Sequence, residues 1–360
     1  MDYENFKEQF MQDVKDRLSE KGLDVNVSLH EIKKVNDSYD AVTITPEGAN
    51  IGVNLPVDKF FQAVEDGAAY DAVVDKAVDV AKNGIEKSPE FDVASITDYN
   101  QMKEKLAMEV VSAEANKEVL DNVPHQNIED MAVVYRFILD PEDDSHASIL
   151  VTNQILETMG VTPEQLHADA MENAPQIKPL QIKGMSEVMA EMMGFERAEM
   201  MGIFPVAPED EQMYVATVPD KVHGAGVLAY QDFMEKAAER AGGDFYILPS
   251  SIHEILIVPD DGVVKLKDLE SMVKEVNANE VAPSDKLTDS VYHYDSKEKI
   301  FELGEKFAAR IAEREAEHSE EKDDKASVIG DLNTKKEEAA KTPRKEKPDK
   351  GVKTKGGEAI

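Results

Sequence analysis

The densest grouping of chemically capable side chains in this 360-residue chain is FYILPSSIHEILIVPDDG, residues 245–262. There Ser250, Ser251, His253 and Glu254 stand between two apolar runs. A hydroxyl, an imidazole and a carboxylate are the parts of an activated nucleophile, and they work when nucleophile and base lie ~2.6 to 3.2 Å apart. Two residues apart on a strand, Ser251 and His253 would share a face yet stand ~6.6 Å apart, at a rise of ~3.3 Å per residue. The flanks also lack the G-x-S-x-G elbow that lifts a serine out of a strand-to-helix turn. The stretch reads as a hairpin turn, and no catalytic residue is assigned from it.

Other motif fragments fail on context. His253-Glu254 and His30-Glu31 begin like the zinc-binding H-E-x-x-H, but Ile257 and Lys34 occupy the second histidine position. Both pairs also fall in strand patterns, whereas that motif needs one helical face to aim two imidazoles at one metal. HGAGVLA, residues 223–229, fits G-x-G-x-x-A through Gly224, Gly226 and Ala229. The preceding apolar run ends at Pro219, and Asp244 precedes its strand where a ribose-binding acid should follow one, so no dinucleotide site is expected. Asp140, Glu142, Asp143, Asp144 and His146 gather oxygen ligands in one loop but lack the glycine and spacing of an EF-hand, which leaves an exposed acidic hairpin loop. His125 and His167 are isolated. The expectation is no metal site and no cofactor.

In GMSEVMAEMMGFERAEMMG, residues 184–202, Met185, Met189, Met192 and Met193 follow helical spacing. The first reading is a core-facing stripe, because methionine is a flexible filler of cores. The alternative is an adaptable docking surface, with thioether copper ligation a third reading.

These residues must be held by an α+β chain. Phe6, Phe10, Val14 and Leu18, each four apart, predict an amphipathic helix. VNVSLHEI, AVTIT and NIGVNL then predict three short antiparallel strands. A helix opening at Pro56 and Asp58 runs through about Glu65, and AYDAVVDKAVDVAKNG supplies another, ended by Asn83 and Gly84. Beyond a helix near Thr97 and a strand around Met108–Ser112, MAVVYRFIL and ASILVT predict a strand pair. Thr162, Pro163 and Gln165 cap a helix ending near Asn173. FYIL and IHEILIV predict a hairpin, covered by a helix with Leu266, Leu269, Met272, Val273 and Val276 inward. A last helix carries Ile300, Leu303, Phe307 and Ile311 on one stripe. The expected architecture is two lobes of antiparallel or mixed sheet with helices on one face, residues 1–93 and 94–312. Residues 313–360, charged and poor in apolar groups, read as a disordered tail.

Charge narrows the partners. The chain carries 74 acids against 40 bases, a net charge of -34, and the tail is nearly balanced, so the folded body is strongly anionic. Such a surface repels phosphate backbones and anionic lipid, which argues against nucleic-acid and membrane binding and for solubility, or for attraction of a basic protein. Residues 341–355 reverse the sign locally with seven bases and two acids. With no cysteine, no apolar run of ~20 residues and an acidic opening MDYENFKEQF, a cytoplasmic protein is expected.

NKEVLDNVPHQNIEDMAVVYRFIL, ASILVTNQILETMGVTPEQLHADAMENAPQIKP, DFYILPSSIHEILIVPD and VNANEVAPSDKLTDSVYHYD together resemble an uncharacterised domain-of-unknown-function family of anaerobic gut Firmicutes, often found among mobile-element genes. The resemblance covers roughly residues 1 to 300 and implies no activity, cofactor or catalytic residue. It favours an accessory protein of an integrated element. The leading functional expectation is therefore a non-enzymatic binding protein with an acidic surface, in its sharpest form a DNA mimic. A hydrolase or other enzyme with a site between the lobes is the alternative.

Overall fold

The computed structural model describes residues 2–49, 52–86, 97–139, 148–202, 204, 206, 207, 210–317 and 335. The expected acidic loop at 140–146 and the tail beyond 317, including its basic stretch, lie outside the described residues apart from residue 335. The fold is α+β, and among the described residues its strands form three antiparallel sheets.

The first sheet and its helices build one core. Helix α1 (Tyr3–Glu20) starts where Asp2 accepts the amide of Asn5, and it buries Phe6, Phe10, Val14 and Leu18 as their spacing requires. Strands β1 (Val25–Lys34), β2 (Asp37–Pro46) and β3 (Val53–Pro56) follow in that spatial order. Helices α2 (Val57–Glu65) and α3 (Tyr70–Glu86) complete the layer. The expected stop at Gly84 is overturned, since α3 runs through it to Glu86. Gly84 serves packing instead, for a Cβ there would press on the Val53 side chain.

Two further sheets share a second, larger core. Strands β4 (Leu106–Ser112), β5 (Gln126–Ile128), β6 (Met131–Ile138) and β7 (Ser148–Leu150) form one, with β6 central and, among the described residues, β4 at an edge. Helices α4 (Asn153–Met159) and α5 (Pro163–Ile177) follow. Thr162 caps α5 by accepting the Gln165 amide, and the helix passes the expected end near Asn173 and runs through Pro175 to Ile177. Next come β8 (Gln181–Gly184), helices α6 (Met185–Met193) and α7 (Phe195–Met200), and β9 (Tyr214–Thr217). Helix α8 (Phe233–Ala241), strands β10 (Phe245–Leu248) and β11 (Ile255–Pro259), helix α9 (Leu266–Asn279), and strands β12 (Tyr292–Asp295) and β13 (Ile300–Leu303) complete this part. The six-stranded sheet runs β13-β12-β10-β11-β9-β8. Met108, Val110, Tyr135 and Phe137 from one sheet pack in one cluster with Tyr214, Phe245, Ile257 and Tyr292 from the other.

Two more expectations fail. Ile300 and Leu303 lie on β13, paired with Asp295 and Tyr292, and helix starts only at residue 304. Four residues between turn signals suffice for an edge strand, and their spacing of three mimics a helical stripe. His253 lies in the connection from β10 to β11, since β11 begins at Ile255. The second compact unit, Glu305–Ile360, is described mainly as the continuation of that helix through residue 317. Among the described residues no helix is long and apolar enough to cross a membrane.

Candidate functional site

A cleft of about 230 Å³ opens beside β4, which lies at the edge of its sheet among the described residues. Its chemistry begins with strand register. Ala107 pairs with Arg136 and Glu109 with Val134, so Glu109 and Arg136 are diagonal neighbours on one sheet face, within reach of long side chains. The Arg136 Nε–H donates to Glu109 Oε2, and its Nη1 lies 3.4 Å from Ser148 Oγ on β7. Glu109 is 1% exposed. Burying a carboxylate that deep costs free energy unless it is paired, and the guanidinium is its partner.

The opposite wall is the turn Asp220–His223, between β9 and a 3-10 helix over Gly224–Ala229. Asp220 Oδ1 accepts the Val222 amide, and Lys221 and His223 both take left-handed backbone conformations, with φ of 56° and 54°. Such φ values are uncommon outside glycine, and for residues held in place they mark local strain. The two glycines resolve the HGAG motif. A Cβ on Gly224 would strike Thr217 and the His253 carbonyl, and one on Gly226 would strike the Met108 carbonyl. Gly224 lets the 3-10 helix start close against β9 and the His253 loop, and Gly226 lets it lie flush against β4.

That close approach sets His223 against Glu109. Its Nδ1 lies 3.2 Å from Glu109 Oε1 without hydrogen-bond alignment, so this buried oxygen makes no hydrogen bond. Burial pushes the His223 pKa below its ordinary 6.5, opposed by the Glu109 charge and aided by Arg136, His253 and Lys178. Lys178, just past the end of α5, donates to Asp220 Oδ2 at 2.8 Å and to the Val222 carbonyl at 2.9 Å. Tyr230 anchors that helix end by donating to the Lys178 carbonyl at 2.7 Å.

The residues singled out from sequence have other duties. Ser251 Oγ accepts the His253 backbone amide at 3.0 Å, a local turn brace, and Glu254 is exposed. The Ser250 carbonyl accepts the Leu287 amide. His253 itself stands behind the cleft, where its Nδ1 accepts the His223 amide at 3.3 Å and its Nε2 lies 3.7 Å from Asp285 Oδ1. His30 pairs with Thr43, and His167 with the Tyr135 hydroxyl. His125 lies against the Val123 carbonyl. Asp244 pins the turn after β12 by accepting the amide and hydroxyl of Ser296. Glu109, Arg136, Lys178, Asp220 and His223 were not assembled from sequence. The available signal was one lone charge in each of two strand-like runs, LAMEVVS and MAVVYRFI, which antiparallel pairing brings together.

The chain belongs to DUF5688, a family of unknown function, whose model matches residues 3–296. The matched span takes in every cleft residue named above. The family supplies no chemistry of its own, so the geometry must carry the functional reading. No curated protein and no solved structure matches the chain.

Proposed function

We propose that this member of the family is an acid–base enzyme acting on a small polar substrate in the β4-edge cleft, with His223 as the proton acceptor. The observation that carries this reading is the His223–Glu109 pair, an imidazole whose pKa burial lowers, set 3.2 Å from a carboxylate that is 1% exposed. A titratable group whose pKa is shifted by burial and which has a specific charge partner in a cleft marks a candidate functional site. With the Glu109 carboxylate beside Nδ1, Nε2 is the ring nitrogen that takes a proton, and the Glu109 charge stabilises the imidazolium that forms. Lys178 and Arg136 offer N–H donors to an anionic part of the substrate, since their present partners do not exhaust three and five donors. Hydrolysis is the reaction of this class that needs only water and a base, so it is the first to test.

The non-enzymatic expectation rested on the anionic charge and the family resemblance, and the cleft favours the enzyme alternative. The cleft groups come from positions spread between 109 and 223, within a single packed region. We read the protein as cytoplasmic, without nucleic acid as a partner, on its anionic charge and lack of cysteine. An accessory role in an integrated element rests on resemblance alone.

The test is hydrolysis of a panel of p-nitrophenyl esters and phosphates by the wild type, His223→Gln and Glu109→Gln. Turnover by the wild type that His223→Gln abolishes, with a rate rising through a pKa below 6.5, supports the reading. Equal background rates for wild type and a folded His223→Gln across the panel sink it.

A further inference from the structure

Among the described residues, all the exposed large apolar side chains except Val80 and Val263 lie between residues 189 and 206. Met192 is 76% exposed, Met200 88% and Phe195 62%. The core-facing expectation for this stripe is therefore overturned at Met189 and Met192. The buried positions of α6 and α7 are Ala190 and Ala198, small residues that let the two helices close on each other and turn the larger ones outward.

The segment is mounted firmly. It leaves the six-stranded sheet at β8, its edge, and returns at β9, which pairs with β8. The Met185 amide donates to the Met213 carbonyl at 2.8 Å, and the Ser186 hydroxyl donates to Glu211 at 2.6 Å. The Val206 amide closes the far end on Ser186 Oγ at 3.2 Å. Gly194, at a φ of 81°, makes the corner between the helices.

Its charge is one-sided. Glu187, Glu191, Glu196 and Glu199 are interleaved with the apolar groups, and Arg197 is the base among them. Lys183, just before the segment, is already committed to Glu191 at 2.5 Å.

We infer that α6 and α7 form a docking surface for a basic amphipathic helix of a partner protein. The apolar centre takes the partner's apolar stripe, and the glutamates meet its lysines and arginines. Methionine suits this role because its unbranched thioether repacks around different side chains. The exposed Met189, Met192, Phe195 and Met200 stand on helices, which offer no backbone for strand pairing, so the partner must satisfy its own backbone hydrogen bonds, which a helix does. A second copy would bring glutamate against glutamate on a chain of net charge -34, and anionic lipid would be repelled in the same way.

The experiment uses the full chain and a fluorescein-labelled peptide of about 18 residues, a helix of ~27 Å. Leucines stand at i, i+3, i+4 and i+7 with lysines between them, and a scrambled peptide of identical composition is the control. Anisotropy is read at about 0.15 M salt, where exposed charges are screened beyond ~8 Å. The expected result is binding of the striped peptide at least tenfold tighter than the scrambled one. Met192→Glu combined with Met200→Glu removes that preference, and Val263→Glu, an exposed apolar position outside the segment, preserves it. Equal binding of both peptides, or a preference the double variant leaves intact, overturns the proposal. So does self-association of the wild type that the double variant abolishes, or co-sedimentation with phosphatidylserine vesicles, in either case without peptide preference.

Discussion

The backbone amide of His223 donates to Nδ1 of His253 at 3.3 Å, which ties the cleft turn to the loop between β10 and β11. An accepting Nδ1 carries no proton, so neutral His253 is the Nε2–H tautomer, directed at Asp285 Oδ1 3.7 Å away. The expected outcome is an Nε2–H signature for His253 in long-range nitrogen–proton correlation spectra at neutral pH. His253→Ala leaves the His223 amide without its acceptor and lowers unfolding free energy by ~1 to 3 kcal/mol. An Nδ1–H tautomer would contradict this arrangement.

Glu109 and Arg136 form the buried ion pair under the cleft. Removing one partner of such a pair leaves a charge stranded, so Arg136→Met costs ~3 to 5 kcal/mol by urea unfolding. Adding Glu109→Gln removes the stranded charge and restores most of that loss. A double variant no more stable than Arg136→Met alone would show that the guanidinium acts by other contacts.

Gly226 matters for steric reasons, since its φ is not in the left-handed region and a Cβ would meet the Met108 carbonyl. Gly226→Ala forces the 3-10 helix off β4, at ~1 to 3 kcal/mol by analogy with overpacked cores. It also displaces His223, so the hydrolysis proposed for the cleft is expected to fall along with stability. A variant with wild-type stability would mean that the strand gives way freely.

Burial is the largest influence on His167, His223 and His293, and it lowers each pKa from the ordinary 6.5. His293 faces Asp260, whose charge opposes that shift, and it is only 1% exposed. A lowered folded-state pKa means that the unfolded chain binds more protons. The stabilisation is therefore present above pH 6.5 and lost as pH falls through the folded value. Acidification also relieves the general repulsion of an anionic chain, which acts on every variant alike, so the informative quantity is a difference. The stability of the wild type relative to His293→Gln is expected to be flat from pH 8 to 7 and to decline steadily below 6.5. A difference that grows on acidification would reverse the sign.

Local chemistry made much of the first core legible in advance. The four-residue spacing of Phe6, Phe10, Val14 and Leu18 and the alternation in β1 and β2 each express one period and one buried face, so they needed no knowledge of distant residues. The same held for the Thr162 cap and the β10–β11 pairing. Where the reading failed, a neighbour remote in sequence decided. Gly84 looked like a helix stop until Val53 is seen against it, and Ile300 and Leu303 looked helical until β12 pairs with them. The cleft belongs wholly to this second class. Glu109 and Arg136 meet through antiparallel register, and His223 reaches them because Gly226 admits the 3-10 helix to the edge of β4. The sequence by itself determined the α+β class, the anionic charge and the absence of thiol chemistry, all of which follow from composition and short periods. Only the tertiary structure decided where the chemistry gathers, because an acid, a base and a cation from separate segments become neighbours through packing, which local spacing does not encode.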